Sequence, residues 1–144
     1  MTGPPHLAVL TTLLPDGHPQ SHVVWVGHEP GRLLVNTERH RAKYRNVLRD
    51  SRVTVLLVDG HDPHRFLEVR GAVTEVVGGS AARQHADRLS HAYRGRGYPS
   101  ESIRTERVVL VIEPLRCLAA QGPSLRTLDA GPRGQGEWSP PRPE

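Results

Sequence analysis

Residues Phe66-Leu67-Glu68-Val69-Arg70-Gly71-Ala72-Val73-Thr74-Glu75-Val76-Val77 alternate apolar and polar positions for several residues. That is the period at which strand side chains fall on opposite faces, so the stretch reads as a long, half-buried strand. Arg107-Val108-Val109-Leu110-Val111-Ile112-Glu113 and Val53 to Asp59 are denser β-branched runs and read as strands too, with Pro114 marking an edge or bulge before Leu118. From His6 to Leu14 the residues are mostly apolar or Thr, and they run into Pro15-Asp16-Gly17-His18, whose fixed and permissive φ angles suit a tight turn. The returning strand covers Pro19 to Gly27. Its core, Val23-Val24-Trp25-Val26, is too apolar for strict alternation, which predicts that both faces are covered, with a dimer partner able to supply the second cover.

A turn at Glu29-Pro30-Gly31 leads to a strand over Arg32-Leu33-Leu34-Val35-Asn36-Thr37, and its last two residues are of the kind that cap helices. Glu38 to Arg49 lacks Gly and Pro and carries helical spacings, so the helix is expected to start at once. Gly78-Gly79-Ser80 breaks the long strand, and Ala81 to Tyr93 forms a second helix with Ala82, Ala86, Leu89 and Tyr93 on one face. Gly60 to His64 and Arg94 to Pro99 are loops. About six strands joined mostly by short turns, with two flanking helices, describe a mainly β antiparallel barrel of α+β type. One domain over 1–120 is expected, followed by a Pro/Gly-rich tail over 121–144 with too little apolar content to fold alone.

Composition narrows the chemistry. The chain has 144 residues, of which 36% are hydrophobic and only 4% aromatic, so Val, Leu and Ala must fill the core. Its single cysteine, Cys117, leaves neither an intrachain disulfide nor a thiolate cluster, and reads as a small buried hydrophobe. No stretch suits a bilayer span or a signal peptide, which makes the cytoplasm the expected location, without membrane association. The formal charge of +4 favours anionic ligands. Nine histidines include His61-x-x-His64, but that pair sits in a loop with only Asp59 and Asp62 nearby, and no metal site is assigned. Arg94-Gly95-Arg96-Gly97-Tyr98 is a single Arg-Gly fragment without an aromatic platform, and no nucleic-acid role is assigned to it; a loop over a groove is the alternative.

The densest chemical signal is Asn36-Thr37-Glu38-Arg39-His40-Arg41-Ala42-Lys43-Tyr44-Arg45-Asn46, where a strand end meets a helix start crowded with cations. Helix N-terminal amides and the helix dipole favour an anion there, Arg adds a planar fork and Lys a point charge, so the corner suits a phosphate. A basic helix can equally be a solvated face, and spacing alone leaves both readings open.

Leu-Pro-Asp-Gly-His-Pro-Gln (14–20), Arg-Leu-Leu-Val-Asn-Thr (32–37), Arg-Ala-Lys-Tyr-Arg-Asn (41–46), Arg-Asp-Ser-Arg-Val (49–53) and Arg-Phe-Leu-Glu-Val-Arg-Gly (65–71) together resemble the pyridoxamine 5'-phosphate oxidase-like split β-barrels. Within that family the chain is most similar to the branch that uses the deazaflavin coenzyme F420, over roughly residues 7–119. The resemblance implies an FMN-binding split-barrel fold and a homodimer with cofactor grooves lined by both chains. It implies that Arg41 and Lys43 grip the cofactor phosphate, with Asn46, Asn36 and Thr37 close by. Val24 and Trp25 would run beside the ring, and His64 and Phe66 would approach from the partner subunit.

The chemistry so implied is hydride transfer from reduced F420 to a C=C or C=N bond of a small organic substrate, with the cofactor performing the step and no catalytic nucleophile needed. A proton donor, if required, would come from His22, His64 or Tyr98 by side-chain type. The alternatives are an FMN-dependent oxidase or reductase on the same fold, and a non-catalytic flavin- or deazaflavin-binding barrel. The sequence departs from the family pattern in the absence of a helix before the first strand, in His22-Val23, and in Ser51 where proline is common.

Overall fold

In β1 (Leu7–Leu13) the buried residues are Ala8, Leu10 and Thr12, and in β5 (Arg52–Val58) they are Val53, Val55 and Leu57. Alternate side chains of both strands therefore point to one interior. The structure, a computed structural model, describes residues 7–121 and 124–129. Its other elements are β2 (Pro19–Val24), β3 (Val26–Glu29), β4 (Arg32–Glu38), α1 (Ala42–Arg49), β6 (Phe66–Val77), α2 (Gly79–Arg94), a 3-10 turn (Ser100–Ser102), β7 (Arg107–Gln121) and β8 (Ser124–Asp129).

The strands pair antiparallel in one sheet of order β2-β1-β5-β6-β7-β4-β3, with β8 beside β7 off that path. Its two ends, β2 and β3, are separated along the chain by Trp25 alone. The sheet must therefore curl until its edges meet, which makes the fold a mainly β split barrel. This corrects the single strand expected over Pro19 to Gly27. The apolar run Val23 to Val26 is not one strand covered on both faces, because the chain leaves one edge at Val24 and joins the other at Val26.

Two hydrophobic clusters explain the densest apolar runs. Leu33, Val35, Val108, Leu110 and Ile112 point into the barrel with Ala8, Leu10, Val55 and Val69, while Leu34, Val109 and Val111 point outward against Ala82 of α2. Each Leu or Val so buried stabilises the fold by about 1.5–3 kcal/mol. Tyr44 and Val47 of α1 join the barrel core.

Helix α1 starts later than the residue types suggest. Glu38 is the last residue of β4, paired with Arg107, and Asn36 and Thr37 lie within that strand opposite Val109 and Val108, capping nothing. The N-cap is Arg41, which makes no side-chain capping bond. The ladder between β6 and β7 shifts register between Arg70 and Gly71, where Pro114 interrupts the β7 side, so the expected bulge lies inside one continuous strand. A Cβ at Gly71 would collide with the Glu113 carbonyl oxygen, so only glycine fits that bulge. Among the described residues there are eight strands where about six are expected, and β8 lies where the sequence leads one to expect no regular structure. The remainder of the expected tail, 130–144, lies outside the described residues. Among the described residues no helix is long and apolar enough to cross a membrane.

Candidate functional site

The crossing of the chain at Trp25 opens a groove of about 430 Å³. His22, Val23, Val24 and Trp25 form one wall, Asn36, Thr37, Arg41 and Lys43 the corner from β4 to α1, and Ala86, Leu89, Tyr98 and Arg107 the side toward α2 and β7. Trp25 is held by stacking on Tyr93, with ring centroids 5.3 Å apart, and the Tyr93 hydroxyl accepts a hydrogen bond from the Val26 amide at 3.2 Å.

Six of the nine residues assigned to the cofactor by resemblance meet here, Val24, Trp25, Asn36, Thr37, Arg41 and Lys43, and so do His22 and Tyr98, two of the three proton-donor candidates. Asn46 does not line the groove. It is buried, donates to Thr12 Oγ1 at 3.0 Å and Gln20 Oε1 at 3.2 Å, and accepts from Arg49 at 2.8 Å, so it ties α1 to β1 and β2. His64 is exposed in the loop before β6, and Phe66 opens β6 opposite Val58 and Ala120; neither lines this groove.

Among the described residues three cations and no carboxylate line the groove. The Lys43 ammonium is held below its ordinary pKa by burial first, then by Arg41 and Arg107. His22 is likewise pushed down, by burial and by the charges of Lys43 and Arg41, and its buried Nδ1 has no partner among the described residues. The pocket is thus positive and would gain from an anion, while Val23, Val24, Trp25 and Leu89 offer an apolar wall.

Sequence reasoning missed Arg107, which stands at the head of β7 only 9% exposed. The available signal was a lone cation opening the most apolar run of the chain. Its Nε donates to Asn36 Oδ1 at 2.7 Å, and its guanidinium carbon lies 4.7 Å from the Tyr98 ring centroid. Ala86 and Leu89 were read only as the buried face of the second helix. Among the described residues no group of three or more His, Cys, Asp and Glu is placed to hold a metal.

The curled antiparallel barrel and its cationic, half-apolar groove define a split β-barrel with an anion-attracting groove. The family model for pyridoxamine 5'-phosphate oxidase matches residues 3–120, and the chain belongs to that family. Among solved structures, one described as an F420 reductase is 29% identical, with a TM-score of 0.69, covering 79% of this chain and 90% of that one. A conserved hypothetical protein from Mycobacterium tuberculosis is 25% identical, with a TM-score of 0.58 and coverage of 92% and 82%. A pyridoxamine 5'-phosphate oxidase-related, FMN-binding protein from Nostoc punctiforme shares the fold at 12% identity, with a TM-score of 0.59 and coverage of 88% and 87%. No curated protein matches the chain.

Proposed function

We propose that the groove binds coenzyme F420 and that the chain is a reductase acting on a C=C or C=N bond of a small organic substrate. The observation that carries this reading is the set of three cations lining a groove without a carboxylate. A phosphate there would offset the repulsion that Arg41 and Arg107 exert on Lys43, beyond what the buried Glu38 carboxylate, 3.5 Å from Arg107, already offsets. The likeness to an F420 reductase at 29% identity supports the choice of deazaflavin.

Arg41 and Lys43 would hold the phosphate, and Val23, Val24 and Trp25 would supply the apolar wall for the ring. When bound and reduced, the deazaflavin supplies the hydride. The chain's own residues orient and shield: Trp25 braced by Tyr93 keeps water from one side, and His22, whose pKa is lowered by burial first and then by Lys43 and Arg41, places its ring in the groove wall. FMN is the second reading, because the same cations suit its phosphate and the chain's family is flavin-binding.

A second copy of the chain completes the proposed assembly. Leu7, Val9, Val23, Leu56, Val58 and Phe66 are brought side by side on the outer face of β2, β1, β5 and β6 by the strand register. Val23 is 69% exposed and Leu7 51%. Helix α2 packs on β4 and β7 and leaves this stripe uncovered. A partner seated there would bring its Phe66 and the neighbouring loop with His64 toward the groove.

The test is steady-state turnover of reduced F420 with a panel of unsaturated acceptors, together with the absorbance of the protein as purified. Acceptor-dependent oxidation of F420 is the expected result. A yellow protein that binds FMN and leaves F420 unchanged would move it to the second reading.

A further inference from the structure

Arg107 is held from several sides although it lines the groove. Besides the bond from Nε to Asn36, its Nη1 donates to the Tyr98 hydroxyl at 3.3 Å and lies 3.5 Å from Glu38 Oε1. These contacts engage Nε and Nη1 of the fork, and Arg107 is one of the residues that line the groove.

The direction of that fork is set from behind. Asn36 Nδ2 donates to the Ala82 carbonyl oxygen at 2.8 Å and lies 3.1 Å from His85 Nδ1. A carbonyl can only accept and Arg Nε can only donate, so the Asn36 amide has one possible orientation. His85 Nδ1 must then accept, with the ring proton on Nε2. His85 is 5% exposed, and burial first, then Arg88 and Arg107 against the opposing pull of Glu29, keeps the ring neutral, with a pKa near 4. The close approach of β3 keeps the ring in place, since a Cβ at Gly27 would lie 3.0 Å from His85 Nε2.

We propose that Arg107 is a third anion-binding residue of the groove, and that His85 is a positioning residue that, through Asn36, aims its guanidinium at a phosphoryl oxygen of the ligand. The inference rests on the reading that the groove takes a phosphate-bearing cofactor, and it adds the residue and relay that the basic motif at 41–43 does not contain. Replacing His85 by a ring without an acceptor removes one of the two bonds on the Asn36 amine and leaves the Ala82 carbonyl alone to hold the side chain that anchors the fork.

The experiment titrates the purified full-length, cofactor-free protein with three probes: coenzyme F420, its deazaflavin chromophore lacking the phosphate, and inorganic pyrophosphate. Arg107→Met is expected to weaken F420 and pyrophosphate by about tenfold to a hundredfold and to leave the chromophore unchanged. His85→Phe gives a smaller loss with the same selectivity. His85→Asn, which restores an acceptor near the Nδ1 position, recovers most of it, which a merely structural histidine would not do. Should Arg107→Met fail to fold, Arg107→Lys keeps the charge without the fork and is expected to lose several-fold in the same two probes.

Equal losses for F420 and chromophore, or no loss, would overturn the role of Arg107, and a His85→Asn variant as weak as His85→Phe would overturn the relay. Arg107-dependent binding of pyrophosphate without binding of either deazaflavin would sustain this inference while sinking the cofactor reading. Binding of none of the three probes by the wild type would sink both.

Discussion

The two helices of this protein face the same electrostatic problem and meet it differently. Both begin without a side-chain cap and without an acidic residue in the first turn, so both leave amides and a positive dipole end to be satisfied. At α2 the chain supplies the anion itself: Glu106 accepts from the Gly79 amide at 3.2 Å and from Arg39 Nε at 2.7 Å, and these bonds, Arg39 first, hold its carboxyl below the usual range. At α1 the chain places Arg41 and Lys43, with Arg107 close enough to depress the lysine. One helix start is closed by a carboxylate from within; the other is charged for an anion from outside.

The largest effect that tests this contrast is on affinity. The double variant Arg41→Ala with Lys43→Ala removes two charge-assisted contacts worth about 1.5–3 kcal/mol each, so cofactor binding is expected to fall by about a hundredfold or more. Its melting temperature should stay level or rise, because like charges are separated; fluorescence titration and thermal melts read the two quantities.

On the α2 side the large effect is on stability against pH. His85 has a folded pKa of about 4 against an ordinary 6.5, so the unfolded chain takes the proton first. The stability is fully present above about pH 6.5 and declines as pH falls toward 4, by up to roughly 3 kcal/mol. His85→Asn should flatten that slope in denaturant melts across the window.

Giving α1 its own carboxylate would break the contrast directly. Ala42→Asp is expected to raise the melting temperature slightly through the helix dipole and to weaken cofactor binding about tenfold. The smallest effect is the converse change. Glu106→Gln removes the internal anion of α2 and should lower the melting temperature while leaving cofactor affinity unchanged. The Glu106 contribution is present above its ordinary pKa of 4.5 and is lost as pH falls through its lower folded value, which an acid titration of wild type against variant would resolve.

Much of the barrel was legible because alternation reports burial locally. The strand from Phe66 to Val77 was readable to its ends, and α2 lay within a residue or two of its expected start and finish. The break at Trp25 was hidden because Val24 and Val26 are apolar for different reasons, one on each edge of the sheet. The start of α1 was misjudged because Glu38 is a good helix former whose place is decided by pairing with distant Arg107. β8 was missed because its pairing with β7 is tertiary and its neighbours are rich in Gly and Pro. In the site, the motif at 41–43 was visible as a local run of charge. Arg107 and its tie to Asn36 were not, because 71 residues separate them and only the fold brings them together.

The most direct test of the central claim is a fluorescence titration of cofactor-free protein with coenzyme F420, on wild type and Lys43→Ala at matched melting temperature. The account predicts saturable binding that weakens by more than about tenfold in the variant. Equal affinity in the two proteins, or no binding of F420 or FMN by the wild type, would contradict it.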